Sequence, residues 1–284
     1  MNDLLLAYMK NFLHRRFWLY WWGGILFLII VFLWLISPMP PPKNDVLTDN
    51  CYYIAHATGA IDGNTYLNCK ESLIQSLDNG YKYIEVDLGI TTDSALVCIH
   101  DWEHFHKITT YDTISNNNSI SEAEFRHRLI LDQYTPLTLD DVIRMRNHHF
   151  FFIVTDKISD AKLLNRYFKH KRNQIMIEAF AFSDYEELKH AGYIPMMSLG
   201  RFNYSNIFWN FIYYPLRYHK SIKWICVASS SNMNSLRMLK RLFNCKVAMY
   251  TSNSSSFFTE HLGREIDLIY TDNWNLKTKT NNSR

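Results

Sequence analysis

The 284-residue chain carries a formal net charge of only +3, and its C-terminal part holds no basic run interleaved with aromatics. That pattern gives no argument for a nucleic-acid partner, and a charge of this size is an ordinary solvated surface. Cysteine is sparse too. Cys51, Cys69, Cys98, Cys226 and Cys245 form no CxxC pair and no spacing of the zinc-binding kind. Cys98 and Cys226 lie in apolar runs and read as buried core residues, whereas Cys51 and Cys69 flank the first strand-to-helix loop. In an oxidising compartment those two can pair, a connectivity that sequence leaves open. The chain has no internal repeat. It leaves no room for a second domain beside an eight-fold α/β barrel, which takes roughly 250 residues.

Charge is absent altogether from residues 17–36, FWLYWWGGILFLIIVFLWLI. That run has the length of about 20 residues that a helix needs to cross a hydrocarbon core, and its Trp and Tyr residues suit the interfacial belt. Lys10, His14, Arg15 and Arg16 precede it, while only Lys43 follows closely. The positive-inside rule then places residues 1–16 in the cytoplasm and the bulk of the chain outside it, on a single-pass cell-membrane anchor. A cleaved signal peptide would have a shorter apolar core and a small-x-small site. Here the run ends in Ser37-Pro38-Met39-Pro40-Pro41-Pro42, so residues 37–49 read as an extended, proline-rich spacer.

From residue 50 onward, strand-like apolar runs alternate with amphipathic helical segments, the pattern of βα units on a parallel sheet. The expected strands are 52–55, 83–88, 150–155, 175–179, 195–199, 223–228, 246–251 and 267–270. Eight such runs predict a (β/α)8 TIM barrel over residues 50–276, preceded by one N-terminal transmembrane helix and followed by a disordered tail at 277–284. Residues 95–99 are an extra strand on a hairpin. Asn68 is expected to cap the first barrel helix with Glu71 three residues on, and Gly80 to stop it. The aromatic stretch 205–218 reads as a core-facing helix or as an apolar lip that meets lipid. The polar stretches 229–234 and 251–256 read as loops opening on the catalytic face.

In this architecture functional groups gather at the C-terminal ends of the strands. His56 follows the first strand, Glu85 and Asp87 end the second, and Asp156 follows the third. Two residues apart on a strand, Glu85 and Asp87 share a face, and a buried carboxylate pair is costly unless a cation neutralises it. Hard oxygen ligands favour Mg²⁺ or Ca²⁺ over zinc, with Asp156 as the third ligand. His56 and His100 are the candidate general base and general acid, because imidazole titrates near neutral pH. His104 and His106 read as loop residues.

These residues carry a resemblance. His56, the Asn68-Cys69-Lys70-Glu71 helix start, Ile84-Glu85-Val86-Asp87, Thr92-Asp93 and His100-Asp101 resemble the glycerophosphodiester phosphodiesterase family. Its pattern is HRG, then ENTxEA, then IExDVxxTxDxxxVxxHD. The likeness continues through Pro136-Leu137-Thr138-Leu139-Asp140-Asp141 and Tyr250-Thr251-Ser252-Asn253 to Tyr270-Thr271-Asp272. It implies a divalent metal held by Glu85, Asp87 and an acidic residue after strand three, with acid/base roles for His56 and His100. Departures stand beside it. Ala57 occupies the position of the usual Arg, Leu67 that of the ENT Glu and Cys69 that of the Thr. The usual ExK of strand three is Thr155-Asp156-Lys157, whose last two residues would face opposite ways on a regular strand. Lys157 is the expected phosphate contact, and Glu178 and Tyr250 are expected to line the pocket.

The expectation is a membrane-anchored, metal-dependent phosphoric diester hydrolase, its barrel outside the cytoplasm. It would act on a glycerophosphodiester or on a related lipid or envelope phosphodiester. Two alternatives stand. One is a degenerate barrel that binds an envelope glycolipid or polymer without cleaving it. The other is a phospholipase-C-like lyase releasing a cyclic phosphate.

Overall fold

The structure is a computed structural model that describes residues 2–42, 45–110, 117–199 and 222–275. Eight parallel strands close into a barrel: β1 (Tyr53–Ala55), β2 (Tyr83–Ile90), β4 (Phe152–Asp156), β5 (Ile175–Ala179), β6 (Ile194–Ser198), β7 (Trp224–Ala228), β8 (Lys246–Tyr250) and β9 (Leu268–Thr271). Closure comes from β1, which pairs with β9 on one side and β2 on the other. The short β3 (Leu96–Cys98) folds back antiparallel on the far end of β2, setting Leu88 opposite Cys98. All nine strands fall within two residues of their expected ends. The period-2 and buried-run signals are strong here because both faces of each barrel strand are covered.

Among the described residues, helices alternate with the strands. They are α2 (Lys70–Asp78), α3 (Trp102–Thr110), α4 (Glu122–His127), α5 (Leu139–His148), α6 (Ala161–Tyr167), α7 (Phe182–His190), α8 (Met233–Phe243) and α9 (Ser255–His261), preceded by the long α1 (Asn2–Ile36). Inside the barrel, Ile54, Val154, Met176, Met196, Cys226, Ala248, Leu268 and Tyr270 form one apolar cluster. The opposite strand faces supply Tyr53, Ile84, Ile153, Ile177, Val227 and Ile269 to a larger cluster under the helices. This alternation fixes which side chains reach the mouth. Every second residue points inward, so the last inward residue of each strand lies at the C-terminal rim.

Three sequence expectations need correction. Asn68 is not the cap of α2; Cys69 is, its sulfur accepting from the Ser72 amide, and Asn68 (φ 49°) turns its side chain to the barrel mouth. Cys51 and Cys69 are not paired: all five cysteines are free. Cys51 precedes the start of β1 whereas Cys69 follows the loop beyond its other end, so the barrel's height separates them. His104 and His106 belong to helix α3, not to a loop. The aromatic stretch 205–218 and the tail 277–284 lie outside the described residues.

The end of α1 is tied to the barrel. Arg241 of α8 donates to the carbonyls of Trp34, Leu35 (2.8 Å) and Pro38, and its guanidinium lies 5.3 Å from the centre of the Trp34 ring. Arg237 adds a bond to the Ile36 carbonyl at 3.3 Å, while its Nε is held 2.6 Å from the buried Glu265 carboxylate. These are the orphan carbonyls at a helix C-terminus, where cations are favoured by the macrodipole. Among the described residues no helix is long and apolar enough to cross a membrane.

Candidate active site

Strand register explains the carboxylate cluster. Asp87 on β2 is the direct partner of Asp156 on β4, and in a parallel pair such partners point to the same side. Glu85 sits one inward position deeper on β2. Ligand oxygens of Glu85, Asp87 and Asp156 all lie within 4.8 Å of one another. At an effective dielectric of about 20, each like-charge pair at such a distance costs about 3.5 kcal/mol. Burial, and then the charges of Asp87 and Asp156, push the Glu85 carboxyl well above the usual carboxylate range. Lys157 supplies one compensating charge, its Nζ 2.6 Å from Asp87 Oδ1. Three carboxylates facing one ammonium leave room for a divalent cation, and an all-oxygen donor set suits Mg²⁺ or Ca²⁺.

Local backbone shape builds this cluster. Lys157 adopts φ +65°, a left-handed turn directly after β4. That turn resolves the conflict seen in the sequence: Asp156 and Lys157 reach the same mouth because the strand has ended between them. Lys157 also donates to the His100 carbonyl, so it bridges β2 and the loop after β3. Ala57 (φ +46°) places its amide 2.5 Å from Glu85 Oε2, so the backbone at this position grips the carboxylate. Asn68 holds the other acid from both ends. Its Nδ2 donates to Asp87 Oδ2 at 2.9 Å and its Oδ1 accepts the Asp87 amide at 3.1 Å.

Each histidine has its own carboxylate. His56 Nδ1 lies 2.8 Å from Asp272 Oδ1, a contact between the end of β1 and the end of β9. Asn253 fixes Asp272 in turn, donating to Oδ2 at 2.8 Å and accepting the Asp272 amide. Burial raises the Asp272 carboxyl, but the hydrogen bonds from His56 and Asn253 outweigh it and hold it below its ordinary value. A carboxylate on Nδ1 fixes the tautomer and leaves Nε2 to exchange protons with a reactant. His100 Nδ1 lies 2.5 Å from Asp101 Oδ2, and this pair is the more open, with 42% of the His100 side chain exposed against 12% for His56. Asp272→Asn is expected to lower turnover about 10²–10⁴-fold, towards the loss of the base itself, since the wrong tautomer is then favoured. A pH–rate profile compared with the parent checks it.

Of the remaining expected residues, Glu178 is buried on β5, facing inward beside Met196 of β6. It borders Cys226 and Tyr270. Burial first, and the Glu178 charge with it, pushes the Cys226 thiol and the Tyr270 phenol well above their ordinary values. Tyr250 packs edge-on against Tyr270 with ring centres 6.4 Å apart. Glu178 and Tyr250 lie at or near the C-terminal ends of their strands. The His104 ring meets that of His100 edge-on at 5.8 Å, and His106 bonds to the Asn118 carbonyl and to Arg128. Sequence reasoning assigned no role to Asp272, Asn253 or Tyr66, although two of them lie within stretches already seen to resemble a family. A polar residue directly after a barrel strand was the available signal for Asp272.

Known proteins place this geometry. Residues 63–256 match the model of the glycerophosphoryl diester phosphodiesterase family. A search of curated proteins gives no match. Among solved structures, a glycerophosphodiester phosphodiesterase from Thermotoga maritima is 18% identical, with a TM-score of 0.58 over 81% of this chain and 96% of the other. A phosphodiesterase from Oleispira antarctica, in complex with the product sn-glycerol-3-phosphate, is 15% identical, with a TM-score of 0.61 over 82% and 97%. A glycerophosphoryl diester phosphodiesterase from Parabacteroides distasonis gives 14% identity and a TM-score of 0.59 over 86% and 94%. At such identities these likenesses establish the fold, and the family match covers most of the chain. The chain belongs to the glycerophosphoryl diester phosphodiesterase family.

Proposed function

We propose that the chain is a membrane-anchored, divalent-metal-dependent hydrolase of glycerophosphodiesters, its barrel on the extracytoplasmic side. The observation that carries the reading is the convergence on one barrel mouth of two carboxylate-oriented imidazoles and the three-carboxylate cluster. Glu85, Asp87 and Asp156 would hold the cation, which supplies Lewis-acid polarisation of phosphoryl oxygens when bound. His56, enclosed and backed by Asp272, takes the proton of the attacking water or of the substrate's neighbouring hydroxyl. His100, on the open side, gives a proton to the leaving alcohol oxygen. Glu178 and Tyr250 line the pocket for the alcohol moiety. Lys157 positions Asp87 and stays close to the phosphoryl group.

The anchor rests on residues 17–36, where Phe17, Tyr20, Trp22, Leu28 and Trp34 are all exposed. An exposed apolar helix of this kind marks a lipid or partner surface. The arginines on its last carbonyls would then hold the barrel at the outer interface. Incubating the purified full chain with a panel of glycerophosphodiesters and lysolipid phosphodiesters tests the reaction. Product from at least one member is expected; no product from any, with His56→Ala indistinguishable from the parent, would sink it. Protease added outside intact cells should cut the barrel and spare the N-terminus. Full protection of both would contradict the orientation.

A further inference from the structure

The geometry points to Tyr66 as a substrate-contacting residue, its phenol hydroxyl donating to a phosphoryl oxygen held between the two histidines. This inference rests on the phosphodiesterase reading of the site. Tyr66 lies in the loop joining β1 to α2, and its ring meets both imidazoles edge-on. Ring centres are 4.6 Å apart to His56 at 78° and 5.3 Å to His100 at 88°. No other described ring touches both. A phenol in that position is adjacent to each group that would move a proton.

Backbone shape supports the placement. Tyr66 holds φ +61°, a left-handed conformation that costs a bulky L-residue and that Gly or Asn would take more readily. Such outliers persist where the surrounding structure imposes them, and they cluster at functional sites. The loop is imposed by Asn68, two residues on, which is buried and tied to Asp87 and to the Ala57 carbonyl.

The chemistry of the mouth shows why a neutral donor is needed there. With a cation held by the three carboxylates, an anionic phosphodiester lying between the histidines still meets Asp272. Ala57 has no side chain to reach it, and the Lys157 ammonium is already committed to Asp87 and the His100 carbonyl. Among the described residues the Tyr66 hydroxyl makes no hydrogen bond of its own. Burial, and the charges of Asp272, Asp87 and Glu85, raise its pKa, so it stays a protonated donor at neutral pH. A single hydrogen bond to a charged oxygen, strengthened as charge builds in the transition state, then replaces part of a cationic grip.

Tyr66→Phe, which keeps the ring and removes only the hydroxyl, is the test, made on the full chain in detergent with sn-glycero-3-phosphocholine and Mg²⁺. We expect kcat/KM to fall about 10–100-fold, with inorganic phosphate weakened as an inhibitor by a comparable factor and the pH–rate profile unmoved. Tyr66→Leu, which also removes the ring, should shift the profile as well, because both imidazoles lose their neighbour. If Tyr66→Phe retains full kcat/KM while Tyr66→Leu loses it, the ring only spaces the histidines and the hydroxyl role is wrong. If the parent hydrolyses no phosphodiester, the functional reading fails separately, and phosphate binding by calorimetry decides for Tyr66. Weaker binding by Tyr66→Phe upholds the contact; equal binding, or none by the parent, overturns it.

Discussion

Replacing His56 by alanine is expected to lower phosphodiester hydrolysis by about 10²–10⁴-fold, the usual contribution of a positioned acid or base. The size follows from how completely this imidazole is prepared. Its Nδ1 is engaged by Asp272, which is itself fixed by Asn253, and its side chain is only 12% exposed. Truncation leaves a small polar gap at the rim and not a hole in the apolar interior cluster, so the fold should survive. Circular dichroism and a melting curve would establish that. Loss of activity with loss of fold would carry no information about the proton transfer. Retention of most activity in a folded variant would remove His56 from the reaction.

Glu85→Gln is expected to have the second large effect, and of an unusual kind. The change keeps the shape and an acceptor for the Ala57 amide while deleting one charge from a crowded set. In metal-free protein it relieves two repulsions, those that raise the Glu85 carboxyl. The metal-free variant should therefore melt no lower than the metal-free parent. A divalent cation should raise the melting temperature of the parent but barely that of the variant. Stabilisation by a cation at about 100 times its dissociation constant is about 2.7 kcal/mol. Activity should fall at least about 100-fold. A variant that binds Mg²⁺ or Ca²⁺ as the parent does would place the cation elsewhere.

The barrel was legible because it repeats one physical rule eight times. Each strand is a short apolar run covered on both faces, and among the described residues amphipathic helices alternate with them, so the expected ends fall within a couple of residues of the observed ones. The carboxylates Glu85, Asp87 and Asp156 and the two histidines were legible for the related reason that strand ends converge. What escaped was the contact order among loops. Asn68 looked like a helix cap from its spacing to Glu71, but a left-handed backbone turns it to Asp87, and Cys69 caps instead. Glu71 meets Thr135, in the loop before α5, rather than its own helix start. Asp272 acquires its role only because the barrel closes, bringing residues 216 positions apart within 2.8 Å. Tyr66 has no periodic signal at all. The placement of Asp156 and Lys157 turned on a single dihedral at Lys157, which no residue pattern announces.

The most direct test of the account follows the phosphorus. Full-length protein stripped of metal by a chelator would be incubated with sn-glycero-3-phosphocholine, and the ³¹P spectrum recorded before and after adding Mg²⁺ or Ca²⁺. The account predicts a static diester signal without the cation, then its conversion to a phosphomonoester, directly or through a transient cyclic phosphate, once the cation is present. Equal turnover with and without the chelator would contradict it.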